Sequence, residues 1–470
     1  MTQRNIMLGW IAYALMRCAL LTYPGYVPDV LAYKRWGIQA ARNGISQVYR
    51  TSRMDYPPLY AYVLAPLGTI YGWLEPEANE NLQDSTLLTV LVKFPPLLFD
   101  LAIAWLLYRL ARMLRPGPAA WPWTWLLPAA YLLNPAVLFN TAFWGEPDSV
   151  HSFFVLASFL ALGYGAGWRS TVGGKPASGG GTRVRRWRGA WPAFVLLTLA
   201  ALMKPLGIPY FPLLLVVSLA LYGLRSTLIG IGASAVTTAI VIAPFLADGQ
   251  GAEVYDRVVG DINAMPFTSA NAHNLWWLLG AWKNADVPWL GPITATQFSL
   301  VLFGCFYTAV LWKAHQLHRS QQGGLQPQQI LLLAAAVGFS FFILSTHLHE
   351  NHMFTVIPLL APLLLFAGPW RKLFIAVSLA VLLNLSLHDP ALNRHWPFAI
   401  GGESGFENHH FGRPFYVTEL TVVWLSTFFN LGLYAVFVSG LFRSGAKSLP
   451  ASLEEGALTI PGSSVTMPSG

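Results

Sequence analysis

An all-α protein threaded many times through a membrane is the fold class the sequence predicts, on three observations. Charged residues fill only 11% of 470 positions while 54% are hydrophobic, against about 25% charged in a soluble domain. The apolar residues run in blocks of about 20, the length at which a helix crosses the hydrocarbon core. Basic and acidic residues also sort to opposite ends of these blocks, as the positive-inside rule requires.

The blocks lie near 5–24, 86–108, 122–143, 150–166, 190–203, 205–223, 226–246, 293–312, 329–346, 352–369, 373–388 and 416–441, about twelve spans in all. The pair over 190–223 is the least regular, because Lys204-Pro205 joins two short segments. The first block contains Arg17 and no small-residue cleavage site, so it reads as a retained span and not a removable signal. Cys18 and Cys305 both sit in apolar runs, which leaves neither a disulfide framework nor a zinc cluster. With the N-terminus inside, Arg109, Arg112, Arg115, the run RVRRWR at 183–188, Arg225, Lys313, Arg319, Arg371, Lys372, Arg443 and Lys447 share the cytoplasmic side. Every Asp and Glu falls outside, apart from Asp100 within a span and Glu454 and Glu455 in the tail. The net charge of +8 is thus explained by loop position and points to no nucleic-acid partner. Residues 1–443 form one transmembrane unit with a large first outer loop at 25–85 and a basic cytoplasmic loop at 167–189. Residues 444–470, rich in Ser, Pro and Gly, read as a disordered cytoplasmic tail.

The chemistry-bearing residues face outward. In YPGYVPDVLAYKRWGIQAARNG, Pro28-Asp29 starts an amphipathic surface helix and Asn43-Gly44 stops it. Asp29, Tyr33 and Trp36 share one face, and Lys34 and Arg35 point elsewhere. A first-turn carboxylate is held ionised by the helix dipole, which suits a base and equally an ordinary helix start. Asp55 in DYPPLY precedes an apolar helix beginning at Leu59 and reads as a site acid or a helix cap. Glu146 and Asp148 flank Pro147 behind Trp144-Gly145, a sugar or cation site or a solvated hairpin tip. Arg17, Lys93 and Lys204 lie toward the outer leaflet. An anion at headgroup level would answer them, and so would internal pairing of Arg17 or Lys93 with Asp100. TSANAHNLWWLLG offers Asn271, Asn274 and Trp276 to hydroxyls and sugar faces. In STHLHENHMF, His347, His349, Glu350 and His352 invite a metal reading. A single helix would put His347 about 200° from His349, so it cannot aim all three imidazoles at one ion. HENH also falls one residue short of HExxH. We therefore expect no metal in this stretch, with a divalent cation completed by other outer acids left open.

These segments together resemble the GT-C superfamily of membrane glycosyltransferases, nearest the ER α-1,3-glucosyltransferases of N-glycan precursor synthesis and their bacterial relatives. The resemblance rests on Asp29, DYPPLY (55–60), KFPPLLFD (93–100), LNPAVLFNTAFWGEPDS (133–149), KPLGIPYFPLL (204–214), NAHNLWWLLG (271–280) and HLHENH (347–352), in that order. It implies a GT-C fold and an inverting hexosyltransferase that moves glucose or mannose from a polyprenyl-phosphate donor. The acceptor would be a lipid-linked glycan or glycolipid, on the outer face of a bacterial cytoplasmic membrane or the lumenal face of the ER. It implies Asp29 as catalytic base and His349-Glu350 near the donor, where the residues read His349 as the phosphate hydrogen-bonder. Arg17, Lys93, Lys204, Asp55, Glu146, Asp148, Asn271, Asn274 and Trp276 complete the expected donor and sugar site, with no organic cofactor. Two positions depart from the family pattern: Glu146 stands where Gln is usual, and Asn351 where a basic residue is usual. The alternative from another class is a transporter or flippase of lipid-linked sugars, although no related halves are visible.

Orientation is directly testable. Cysteines introduced at Ser52 and Ser178 should label from opposite sides with an impermeant thiol reagent, and labelling of both from outside would overturn the charge-sorted topology.

Overall fold

A computed structural model describes residues 3–76, 82, 84–114, 121–165, 189–260, 266–320, 325–366, 369–389, 392, 404–408, 413–417 and 421–443. The tail at 444–470 and nearly all of the 167–189 loop lie outside the described residues. Among the described residues the protein is all-α apart from two short antiparallel hairpins, Pro288–Leu290 with Ile293–Thr294 and Ser404–Asn408 with Arg413–Val417. Five helices among them are long and apolar enough to cross a membrane: Thr86–Leu114, Pro205–Ala247, Ala295–Ser320, Pro327–Leu344 and Val422–Arg443. A sixth crossing is counted if Thr124–Leu132 and Pro135–Trp144, bent by 43°, are taken together. Large apolar side chains such as Leu224, Leu228, Val236 and Ile240 stand more than half exposed along one helical run. Such surface is stable only against lipid, which makes this an integral membrane protein.

The 43-residue run is not one straight rod. Gly223 adopts φ 77°, ψ 176°, and Ser218 and Thr227 hydroxyls meet at 2.8 Å. Nine residues of continuous helix would separate them by about 13.5 Å along the axis. The chain therefore folds back at Gly223, as expected for two separate segments at 205–223 and 226–246.

Two other breaks shape one end of the helical bundle. At Asn134-Pro135 the residue before proline is extended, and Asn134 Oδ1 caps the restart by accepting the Ala136 N–H. The restarted helix loosens into a π-helical stretch, Leu138–Trp144, and stops at Gly145 in the left-handed region at φ 89°. At Lys204, also before proline, the backbone is extended (φ −151°, ψ 135°) and ends the helix Trp191–Met203.

Of the three expected outer-leaflet cations, two are committed to the frame. Arg17 pairs with Asp100, whose carboxylate also accepts Thr141 Oγ1 at 2.6 Å and Tyr131 OH at 2.9 Å. Internal pairing thus falls to Arg17, not Lys93. The Lys93 ammonium instead donates to the carbonyls of Tyr23 (2.7 Å), Phe143 (2.9 Å) and Ala142 (3.1 Å). These carbonyls close two helices, where unpaired acceptors and the negative dipole end attract a cation.

Breaking one partner of a buried ion pair strands the other charge at a cost of about 3–5 kcal/mol, whereas replacing both by apolar groups is nearly neutral. Asp100→Ala should accordingly lower the melting temperature in detergent sharply. Arg17→Met with Asp100→Leu should recover most of the loss in the same melts.

Candidate functional site

The helix Val27–Asn43 forms as expected, with Pro28 in its first turn and Gly44 (φ 89°) at its C-terminus. Tyr33 and Trp36 are buried and Arg35 is exposed, but Lys34 differs from expectation. It is buried and donates to the carbonyls of Leu82 and Ser85, each at 3.0 Å, tying down the far end of the first outer loop. Asp29 is half-buried on the face of Tyr33.

Glu146 comes to this face from the Trp144–Asp148 hairpin. Its Oε2 accepts Tyr33 OH at 3.1 Å and Asn351 Nδ2 at 3.2 Å, and lies 4.0 Å from Lys204 Nζ. The side chains of Asp29 and Glu146 are themselves hydrogen-bonded, while Glu146 Oε1 has no conventional donor. Two carboxylates can bond only through a shared proton. Burial holds Glu146 well above the usual carboxylate range, followed by the charge of Asp29. Of the two, Glu146 is the one that holds the shared proton more tightly, so it donates to Asp29.

Lys204 completes the cluster. Its ammonium donates to Asp148 Oδ1 at 2.6 Å and sits 5.5 Å from the ring of Tyr56. Asn140 Nδ2 takes the other oxygen, Asp148 Oδ2, at 3.1 Å. Asp148 is thereby saturated, which leaves Asp29 as the accessible carboxylate.

Expected ionisation of Asp29 by the helix dipole is overruled by its surroundings. Loss of water raises it to about 6, aided by the charges of Glu350 and Asp55, while the Glu146 hydrogen bond and Lys204 pull the other way. A helix N-terminus supplies about 0.3–1 kcal/mol, less than one pKa unit, so burial wins.

The stretch 345–352 is not helical. His347 is left-handed at φ 64°, its N–H donates to Phe267 O at 3.0 Å, and Ala270 N–H donates to Leu348 O at 2.9 Å. Pairing with 267–271 turns the strip over the acid cluster. Burial and then the Lys204 charge push His349 down to about 4, so its imidazole is neutral. Its backbone N–H donates to His352 Nδ1 at 3.2 Å, and the two rings meet edge to face at 5.2 Å. Glu350 is pushed up to about 8, chiefly by burial, and its Oε2 has no partner. It is therefore a neutral acid at pH 7.

Asn271, Asn274 and Trp276 weld this strip in place. Asn274 Oδ1 accepts Trp276 N–H at 3.1 Å, and its Nδ2 donates to Phe342 O and Ser345 O, each at 3.1 Å. Trp276 Nε1 donates to Leu344 O at 2.8 Å, and Asn271 Oδ1 accepts Trp282 Nε1 at 3.1 Å. Asp55 is exposed; the following helix, Leu59–Leu74, has Pro58 at its N-cap and no side-chain cap, and the charge of Asp55 reaches Asp29. The structure thus gathers Asp29, Glu146, Asp148, Lys204 and Glu350, sets His349 within reach of the Lys204 charge, and assigns Arg17, Lys93, Asn271, Asn274 and Trp276 to the frame. Sequence reasoning missed Asn140, whose one signal is a polar residue inside an apolar block, and the contact between Glu146 and Asn351. No three His, Cys, Asp or Glu side chains are placed to hold a metal ion among the described residues. No family model matches the chain, and no curated protein matches it.

An acid whose folded pKa is raised binds its proton more tightly when folded, so it adds stability at low pH that fades as pH rises from the unfolded value toward the folded one. For Asp29 that window runs from about 4 to about 6. Asp29→Asn should therefore raise the melting temperature at pH 7–8, and the gain should vanish near pH 4 in a pH series of thermal melts.

Proposed function

We propose that this protein is a membrane glycosyltransferase of the GT-C type, with the twelve crossings expected from its sequence. It takes a hexose from a polyprenyl-phosphate donor to a lipid-linked glycan or glycolipid acceptor, on the non-cytoplasmic face. The carrying observation is the half-buried Asp29 carboxylate, hydrogen-bonded by a protonated Glu146 and flanked by Lys204. Four chain segments far apart in sequence supply that cluster and Glu350.

An acceptor hydroxyl is a poor nucleophile until a positioned base removes its proton. In this reading Asp29 accepts that proton as the hydroxyl oxygen bonds to the anomeric carbon from the face opposite the phosphate. The sugar–phosphate C–O bond breaks with its electron pair leaving on the phosphate oxygen, and the anomeric configuration inverts. Charge gathering on the departing phosphate is met by donors already in place: the neutral imidazole of His349, the acid of Glu350 and the ammonium of Lys204. A lipid-tailed donor also accounts for a site made wholly from a membrane-embedded chain and its outer loops.

The helix breaks at Asn134 and Lys204 favour a second reading, since carriers of lipid-linked sugars also use discontinuous helices around a charged site. Purified protein in nanodiscs, given short-chain polyprenyl-phosphate glucose or mannose and a lipid-acceptor extract, separates the two. Transfer of the hexose supports the enzyme, and flipping of intact donor without transfer supports the carrier. Asp29→Asn should cost about 10²–10⁴ in rate, and wild-type transfer should be lost as pH falls through about 6, where Asp29 takes up its proton. His349→Ala should lower turnover and weaken donor binding. Wild-type turnover by Asp29→Asn would remove this residue from the mechanism, and inhibition by EDTA reversed by Mn²⁺ or Mg²⁺ would reassign the cluster to a metal site.

A further inference from the structure

The last quarter of the chain contributes none of the acid-cluster residues, yet one of its side chains reaches the hairpin that carries Glu146. Asp389, buried just beyond the helix Pro369–Ser386, accepts the Trp144 indole N–H on Oδ2 at 2.6 Å. Its Oδ1 is taken by the Leu392 N–H at 2.8 Å, so the carboxylate is fixed at both oxygens. A charge-assisted bond of this length is among the stronger hydrogen bonds a buried indole makes.

Trp144 links both halves of the carboxyl pair. It stands two residues before Glu146, its carbonyl accepts the Tyr26 N–H at 2.9 Å, and its ring stacks on Tyr26 with centroids 4.9 Å apart. Tyr26 caps the helix on which Asp29 is the third residue. Rotation of the buried indole would shift the Glu146 hairpin and the start of the Asp29 helix together, and the bond to Asp389 fixes that rotation.

We propose that Asp389 is a positioning residue for the Asp29–Glu146 pair, acting through the Trp144 indole. It touches neither carboxyl and takes no proton in the reaction. Its role is to hold the two close enough to share one. The charged and titratable groups that face this pair are Tyr26, Tyr33, Tyr56, Tyr60, Asp55, Asp148, Lys204 and Glu350; none belongs to the segment that carries Asp389, and of them Tyr26 also feels the Asp389 charge.

The kinetic consequence rests on the transferase reading, while the positional one does not, so the test has two arms. An infrared titration of the intact protein in nanodiscs follows the buried carboxylic-acid band, assigned to Glu146 by its loss in Glu146→Gln. Trp144→Phe keeps an aromatic side chain but removes the indole donor together with part of the ring, whereas Asp389→Ala leaves the indole intact and removes its acceptor; both should move the midpoint of that band by about half a unit or more. The double variant should shift no further than either single, since all three remove one bond. Asp389→Asn, which keeps an acceptor for the indole, should restore most of the wild-type titration. In the transfer assay, Trp144→Phe should lower kcat about tenfold with donor KM little changed, as misplacement of a base predicts. An unmoved band in folded Trp144→Phe overturns the proposal, as does an additive double variant. A moved band in a protein that transfers no sugar upholds the positioning and sinks the transferase reading instead.

Discussion

The end of this protein that carries the acid cluster is built around the Lys93 ammonium, inserted where two helices run out of hydrogen-bond partners. The first helix and the π-helical arm Leu138–Trp144 each end with carbonyls that need a donor, and Lys93 satisfies both sets at once. The slot it fills has no room to spare. A Cβ on Gly145 would come within 2.7 Å of the lysine stem, and one on Gly25 within 2.3 Å of the Trp144 carbonyl. Both glycines are in the left-handed region, at φ 89° and 80°, where a side chain would also strain the backbone. The two chains leaving this junction are the ones that carry Asp29 and Glu146.

From that junction the site follows by the ordinary cost of burying charge. Asp148 is compensated by Lys204 and Asn140, Asp100 by Arg17, Thr141 and Tyr131. Glu146 has only neutral donors on one oxygen and a cation at 4.0 Å, so it keeps its proton and lends it to Asp29. The cluster thus sorts four acids into two roles. Asp29 is reachable, Asp148 has both oxygens engaged, and burial makes Glu146 and Glu350 hold their protons more tightly than ordinary carboxyls. A fully ionised cluster would repel the phosphate that the proposed reaction must accommodate. The two departures from the glycosyltransferase pattern are not independent, because Glu146 and Asn351 touch. A basic residue at 351 would pull the proton from Glu146 and leave it an acceptor; asparagine lets it remain a donor.

How much of this was legible in the sequence differs by feature, for physical reasons. Helix limits set by local chemistry were readable: Pro28 to Gly44, the stop at Gly145, the join at Lys204-Pro205, and the turn near Gly223; the break at Asn134-Pro135 inside the block 122–143 was not read. So was the face shared by Asp29, Tyr33 and Trp36 readable, since it depends only on helical period. Partner choice was not. Whether Asp100 belonged to Arg17 or Lys93 turned on which carbonyls lacked donors, a property of helix ends brought together from different parts of the chain. Likewise, Asn271, Asn274 and Trp276 have the composition of a sugar site, but the unpaired carbonyls of Phe342, Leu344 and Ser345 claim two of them.

By itself, then, the sequence determined that this is a helical membrane protein, because charge content and apolar run length are sums over residues and need no fold. It also determined where several helices begin and break, because proline, glycine and asparagine act within a turn of themselves. Only the tertiary structure decided which ionisable groups carry charge. A helix dipole alone would leave Asp29 ionised far into acid; the surrounding protein strips its water and adds neighbouring acids, so its proton is held up to about pH 6. The bend of His347 into the left-handed region was equally out of reach, because it is imposed by pairing with residues 267–271, some eighty positions away. Ionisation and strand-like pairing both depend on neighbours distant in the chain, and no local pattern encodes them.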